Sequence, residues 1–176
     1  MSVALWLLAA YVLGATPTAY LAGLLARDLD LREHGSKNLG ATNVYRVLGW
    51  GWAIPVALID VVKGAVPVAL VSRWAGGGGP WLAVAVGAAA VLGHMFSPYV
   101  GFKGGKGVAT AAGMFLALAP LAVAFPLLVR LTRPEADATL WASVVLAALI
   151  VFSHRTNIRR LQAGTENRFR TPKEPT

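Results

Sequence analysis

Five long apolar stretches restrict what this chain of 176 residues can fold into, and they run over Ser2–Ala26, Trp50–Val71, Trp81–Met95, Val108–Leu131 and Ala138–Phe152. A helix needs about 20 apolar residues to cross a hydrocarbon core. The first two stretches meet this length, whereas the third and fifth hold about 15 and need help from flanking residues. The fourth contains Pro120 and Pro126, which predict a broken helix. We therefore predict an all-α, polytopic membrane protein with a single domain over residues 1–176.

Composition supports a membrane protein and excludes several other classes. Hydrophobic residues make up 56% of the chain and charged residues 14%, whereas soluble domains carry about a quarter charged residues. The absence of cysteine excludes disulfides, thiolate zinc sites and a cysteine nucleophile. The net charge of +8 favours anionic lipid or an anionic substrate. Basic patches also bind nucleic acid, but the apolar stretches disfavour that partner. No cofactor and no obligate protein partner are indicated.

The distribution of cations predicts the topology. Arg27 is the first cation and follows the first apolar stretch, which favours a retained anchor with its N-terminus outside over a cleaved signal peptide. Alternating sides then place residues 27–49, 96–107 and 153–176 inside. These segments hold twelve of the 16 lysines and arginines: Arg27, Arg32, Lys37, Arg46, Lys103, Lys106, Arg155, Arg159, Arg160, Arg168, Arg170 and Lys173. The positive-inside rule thus predicts five crossings and a C-terminus inside.

Small hydrogen-bonding side chains are concentrated in the first inside segment. Ser36, Asn38, Thr42 and Asn43 lie within eight residues of each other, and Arg46 follows Thr42 by one helical turn. Small polar groups with one arginine suit a phosphate ester or a glycerol hydroxyl. A capped, solvated helix at the membrane interface explains the same residues equally well.

The second inside segment carries four glycines and two lysines in seven residues, Gly-Phe-Lys-Gly-Gly-Lys-Gly at 101–107. Glycines let backbone N–H groups approach an anion, and the next apolar stretch predicts a helix whose N-terminus faces this loop. It is not a nucleotide P-loop, since glycine rather than Ser or Thr follows the second lysine. A flexible loop made basic for topology is the alternative. We predict a phosphate-binding element formed by Lys103, Gly104, Gly105, Lys106 and Gly107.

The third inside segment begins with His154 and Asn157, which are three residues apart and share a helical face. Glu166 is the only carboxylate in this basic cluster, which predicts an ion pair with an arginine. A basic tail in contact with anionic lipid is sufficient to explain the cations that follow it.

Two further polar positions lie within apolar stretches. Asp60 and Lys63 share a helical face in the second stretch, and ionisable residues inside a membrane are usually functional or paired. We interpret them as a structural pair that supports the site. His94, at the end of the third stretch, is interpreted as a buried structural histidine.

Together these segments resemble the bacterial acyl-phosphate-dependent glycerol-3-phosphate acyltransferases. The matching residues are 35–43 with Arg46, then 93–94 with 102–110, and finally 154–161 with Gly164 and Glu166. Order, spacing and sidedness agree over nearly the whole chain. The departure is Lys37, where the family commonly has glycine, and it puts the local backbone path in doubt because lysine tolerates a positive φ poorly.

The resemblance implies transfer of a fatty acyl group from a long-chain acyl phosphate to the sn-1 hydroxyl of glycerol 3-phosphate. The products are lysophosphatidate and inorganic phosphate, the first step of phospholipid synthesis, made at the cytoplasmic face of the bacterial inner membrane. The family fold of seven membrane helices fits the short and broken stretches. The resemblance assigns glycerol-3-phosphate binding to the glycine–lysine loop and makes activity depend on Ser36, Arg46, His154 and Asn157.

The proton acceptor and one other function stay open at this point, and two other enzyme classes are disfavoured. The resemblance implies that the substrate's own phosphate accepts the hydroxyl proton, and His154 is the alternative base. Acyl-CoA-dependent enzymes of the common type need a histidine followed five positions later by aspartate, and none of the three histidines has one. A metal-dependent phosphotransferase would need clustered aspartates, which are also missing. A transporter for phosphorylated anions remains the alternative of another class.

Overall fold

The computed structural model describes residues 2–74 and 79–118, together with residues 141, 145, 148, 152, 153 and 155–163. Seven α-helices have described bounds: α1 (Val3–Ala15), α2 (Thr18–Arg27), α3 (Ala41–Leu48), α4 (Trp50–Trp74), α5 (Gly79–Met95), α6 (Val108–Leu118) and α7 (Arg155–Gln162). Residues 141, 145, 148, 152 and 153 are helical as well. A short 3-10 turn, Pro98–Val100, follows α5. No strand occurs among the described residues, which confirms the all-α prediction. The predicted break at Pro120 and Pro126 and most of the fifth stretch lie outside them, so the count of seven membrane helices stays a prediction.

Within the described residues, three spans are long and apolar enough to cross a membrane, namely Val3–Arg27, Trp50–Arg73 and Trp81–Val100. The third was predicted to end at Met95 and to be short, and the turn after α5 lengthens it to 20 residues. Large apolar side chains on these spans face outward: Leu25 is 77% exposed and Leu58 is 60% exposed. An exposed surface of this kind is solvated by lipid rather than by water.

The first span was expected to be one helix, and the structure interrupts it at Thr16 and Pro17, between α1 and α2. Carbonyl groups freed at such a break need new donors inside a membrane. The hydroxyl of Ser97 donates to the Ala15 carbonyl at 2.5 Å, and the ammonium of Lys63 donates to the Thr16 carbonyl at 2.9 Å. The break is therefore stabilised by side chains from two other spans.

Close contact between α4 and α6 depends on two glycines that face each other's helix. A Cβ on Gly64 would collide with the Thr110 carbonyl, and a Cβ on Gly113 would collide with the Val61 carbonyl. Small residues let membrane helices approach until their backbones touch, which is a main source of packing energy in lipid. The contact anchors α6, the helix that begins directly after the glycine–lysine loop.

Candidate active site

Parts of all three predicted inside segments meet at one end of the helices. Arg32 donates from Nη1 to the Val100 carbonyl at 3.3 Å, which joins the first segment to the second. The hydroxyl of Ser153 donates to the Lys106 carbonyl at 3.3 Å, which brings the start of the third segment to the glycine–lysine loop. The prediction that these segments share a side therefore holds for these residues.

The side-chain amide of Asn43 forms three hydrogen bonds with the loop between α2 and α3, residues 28–40. The Asn43 side-chain oxygen accepts from the Ser36 backbone N–H at 2.7 Å. Its nitrogen donates to the carbonyls of Leu31 and His34 at 3.2 and 3.0 Å. Asn43 is 1% exposed. It was predicted to bind substrate, and the structure places its amide beneath the loop, where it fixes the backbone on which Ser36 is carried.

Lys37 adopts φ 59°, and Gly35, two residues earlier, adopts φ 63°. This left-handed region is unfavourable for a lysine, because its Cβ approaches the following carbonyl. The doubt that Lys37 raised about the backbone path is therefore answered: the chain takes a conformation that a glycine would adopt at that position. The Lys37 backbone N–H donates to the His34 carbonyl at 3.0 Å, which closes this turn.

Asp30 and Arg32 form a salt bridge that sequence reasoning did not single out. Arg32 donates from Nε to both carboxylate oxygens, at 3.0 and 2.9 Å, and from Nη2 to one of them at 2.6 Å. These hydrogen bonds hold the pKa of Asp30 below its ordinary value, and the same contact raises the pKa of Arg32. The Arg32 guanidinium also lies 5.0 Å from the centre of the Tyr20 ring. Residues two apart in a loop give no periodic signal, so only the structure could show this pair.

An open pocket of about 380 Å³ lies between the first two inside segments, lined by Asp30, Arg32, Glu33, Lys37 and Lys103. Its size suits a small phosphorylated molecule. Because Asp30 pairs with Arg32, the ammonium groups of Lys37 and Lys103 are opposed within the lining only by Glu33. The pocket is therefore a basic recess at the membrane surface.

Two glycines of the loop donate their N–H groups within the protein, and their predicted role in substrate binding stays a prediction. The N–H groups of Gly104 and Gly105 donate to the carbonyls of Met95 and His94 at 3.0 and 3.1 Å. They cap the end of α5 and are not aimed at an anion. Side chains are excluded at both positions, since a Cβ on Gly104 would meet the His94 carbonyl and one on Gly105 would meet the His94 imidazole and the Leu39 carbonyl.

The two lysines of the loop and the start of α6 lie close together in the sequence. Lys103 is exposed and Lys106 is half-buried. Gly107 adopts φ 80°, and its carbonyl accepts from Ala111 at 2.8 Å in the first turn of α6. α6 thus begins two residues after Lys106, and the helix dipole adds partial positive charge there.

The other predicted residues are placed as follows. On α3, Thr42 is exposed and Arg46 is half-buried, and both Ser36 and Asn38 are half-buried in the loop before it. Asn157 lies on α7. His154 and Glu166 lie outside the described residues, so nothing here bears on them. In the described part of the chain, no cluster of three or more metal-binding side chains occurs.

The intramembrane charges are paired as predicted. The Lys63 ammonium lies 2.8 Å from a carboxylate oxygen of Asp60, and both side chains are buried. The Thr18 hydroxyl donates to the same carboxylate at 2.6 Å. His94 is also buried, and its Nδ1 lies 3.7 Å from that oxygen, beyond hydrogen-bond distance. The role of this pair in supporting the site stays a prediction.

These features define an integral membrane protein whose helices present a basic recess at one end. The glycerol-3-phosphate acyltransferase family model matches residues 4–133. A glycerol-3-phosphate acyltransferase of Geobacter sulfurreducens is 43% identical over 187 residues, covering 92% of this chain and 94% of that protein. One from Halalkalibacterium halodurans is 36% identical and covers 97% and 98%.

Solved structures agree with the sequence comparison. The crystal structure of PlsY (YgiH), an integral membrane glycerol 3-phosphate acyltransferase, in its glycerol 3-phosphate form has a TM-score of 0.80 at 34% identity, covering 97% of this chain and 96% of that one. The lysophosphatidic acid form has a TM-score of 0.78 at 33% identity, covering 97% of each chain. The chain belongs to the glycerol-3-phosphate acyltransferase family.

Proposed function

We propose that this protein transfers a fatty acyl group from a long-chain acyl phosphate to the sn-1 hydroxyl of glycerol 3-phosphate, at the cytoplasmic face of a bacterial inner membrane. The observation that carries the proposal is the basic recess between residues 28–40 and the glycine–lysine loop, opening at the end of membrane-spanning helices. The relatives are glycerol-3-phosphate acyltransferases, and one similar solved structure is of the glycerol 3-phosphate form of such an enzyme. A recess at the lipid surface gives a soluble phosphate ester and a lipid donor access to the same point.

Electrostatics support two anionic substrates in one site. Each phosphate group carries nearly two negative charges, so bringing an acyl phosphate and glycerol 3-phosphate together requires compensating cations. Lys37 and Lys103 line the recess, Lys106 follows in the same loop, and Arg46 lies on the adjacent α3. We assign these side chains and the N-terminus of α6 to phosphate binding, with Ser36 held in place by Asn43.

Acyl phosphate as donor reduces what the protein must do. In the proposed step the sn-1 hydroxyl oxygen attacks the acyl carbonyl carbon, a new ester C–O bond forms, and the bond from that carbon to the phosphate oxygen breaks. Inorganic phosphate leaves with the electron pair of the broken bond, and the hydroxyl proton passes to the phosphate of glycerol 3-phosphate. The protein then contributes mainly orientation and charge stabilisation, without a side-chain base.

The first test measures lysophosphatidate made by the purified protein in detergent from labelled glycerol 3-phosphate, with acyl phosphate and acyl-CoA offered separately. Product from acyl phosphate alone is expected. Product from acyl-CoA alone would keep the acceptor and overturn the donor. If a folded sample gives no product, flux of glycerol 3-phosphate into liposomes without a donor would test the transporter alternative.

Two variants test the assigned roles. Arg46→Ala is expected to abolish turnover, because its charge offsets that of the phosphates, and full activity in this variant would contradict the assignment. His154→Gln is expected to keep most of its kcat, since the substrate's phosphate accepts the proton. A loss of about a thousandfold, within the range for removing a general base, would identify His154 as that base.

A further inference from the structure

His94 connects the buried ion pair to the glycine–lysine loop. Its Nδ1 faces Asp60 at 3.7 Å, and its Nε2 faces Gly105 so closely that a Cβ there would collide with it. Its backbone carbonyl accepts the Gly105 N–H at 3.1 Å. One residue thus contacts the loop through both its ring and its backbone.

The surroundings of the imidazole leave it little freedom. His94 is 7% exposed. The space beside it is a cavity of about 10 Å³ shared with Thr16, Thr18, Ser97 and Gly105, among others. A cavity of this size holds one water at most. The ring therefore cannot move aside without displacing Thr16 and Thr18, which lie at the break in the first span. On the opposite side of the imidazole, Asp60 is fixed by Lys63 and Thr18.

We propose that His94 is a positioning residue whose imidazole sets the distance between the glycine–lysine loop and the buried Asp60–Lys63 pair. The ring packs against Gly105, and the Leu39 carbonyl packs against the same glycine from another direction. Lys103 and Lys106, on either side of the two glycines, are thereby held at fixed positions beside the recess. The inference rests on the proposed function, because it predicts an effect on glycerol-3-phosphate binding.

The kinetic test compares His94→Ala with Val86→Ala, a matched control that removes a fully buried side chain about two turns earlier on α5. For His94→Ala we expect a KM for glycerol 3-phosphate raised about tenfold with kcat changed less than about threefold, the pattern of lost binding. His94→Gln, which keeps a polar group of similar reach, should recover most of the affinity, and Val86→Ala should leave KM unchanged. An equal KM rise in Val86→Ala, or a fall in kcat alone in His94→Ala, would overturn the proposal.

A second measurement stays informative if the wild type shows no transfer with either donor, the outcome that would overturn the proposed function. It is a double-mutant cycle of thermal stability in detergent. A Cβ at Gly105 meets the imidazole, whereas a Cβ at Gly104 meets the His94 backbone carbonyl, which no side-chain change removes. His94→Ala should therefore relieve part of the Tm loss of Gly105→Ala and none of that of Gly104→Ala. Equal relief of both glycine variants, or relief of neither, would contradict the assigned contact even if activity is present.

Discussion

The two loops that form the recess are held in place by opposite means. Residues 28–40 are fixed by side chains, chiefly the Asn43 amide and the pair of Asp30 with Arg32. The glycine–lysine loop is fixed by the absence of side chains, since Gly104 and Gly105 lie directly on the last turn of α5. The first loop should therefore be damaged by removing atoms and the second by adding them.

The largest effect is expected from adding a methyl group to the second loop. Gly104→Ala places a Cβ against the His94 carbonyl, a backbone atom that cannot rotate away. We expect a loss of about 3 kcal/mol in the free energy of unfolding, at the upper end for overpacking. Unfolding in detergent would measure it. Gly51→Ala is the matched control, because a Cβ there meets nothing within 4 Å, and an equal loss in that variant would show that the contact is not the cause.

Removing the amide from the first loop should have the next largest effect. Asn43→Ala leaves the Ser36 N–H and the Leu31 carbonyl without this partner, and it leaves the His34 carbonyl with the Lys37 N–H alone. An unsatisfied buried group costs about 1–3 kcal/mol, and we expect about 2 kcal/mol in total because part of the loop can reach water. The same unfolding measurement applies. Thr42→Ala, at the exposed neighbouring position, should change stability by less than about 0.5 kcal/mol, the usual range for surface sites.

Acid should weaken the first loop. Arg32 lowers the folded-state pKa of Asp30, so the pair stabilises the protein above the ordinary value of 3.8, and this stabilisation is lost as pH falls through the lower folded-state value. After allowance for solvent screening of a partly exposed pair, we expect about 1 kcal/mol. Stability curves of wild type and Asp30→Asn should be separated at neutral pH and converge below pH 3.8. If the two stability curves stay equally far apart at every pH, the Asp30–Arg32 pair is not the source of the difference.

The smallest effect concerns Lys37, the one lysine of the recess in a left-handed conformation. Lys37→Gly should stabilise the protein by at most about 1 kcal/mol, because relief of the backbone is partly offset by the greater freedom of glycine in the unfolded chain. The same variant should raise the KM for glycerol 3-phosphate at low salt, and the difference should shrink at high salt. A KM that is independent of residue 37 at low salt would remove this lysine from the site.

The sequence predicted the three spans found among the described residues, the meeting of the three polar segments and the pairing of Asp60 with Lys63, because each depends on apolar length or on the cost of a charge in lipid. It did not predict the break in the first span. Proline marks a possible interruption, yet α4 continues through Pro55 and Pro67. Whether a proline ends a helix depends on distant donors, here Lys63 and Ser97, which no local pattern reveals.

The site itself was predicted in its residues more than in its geometry. Glycine serves either to bring N–H groups to a ligand or to let backbones touch, and the sequence of the loop is the same in both cases. Only the positions of the His94 and Met95 carbonyls show which use applies to Gly104 and Gly105. Likewise, the sequence does not distinguish Asn43 from the other three small polar residues of its segment. The carbonyls that Asn43 contacts show its structural role.

The break in the first span has a consequence for how the chain is assembled in the membrane. The ribosome delivers Ala15 and Thr16 first, but the side chains that donate to their carbonyls are at positions 63 and 97. The first span to enter the bilayer is thus completed only after the third has arrived. Until then the Ala15 carbonyl lacks the hydroxyl that donates to it in the folded protein, and a truncated chain that ends before Ser97 would never gain this donor.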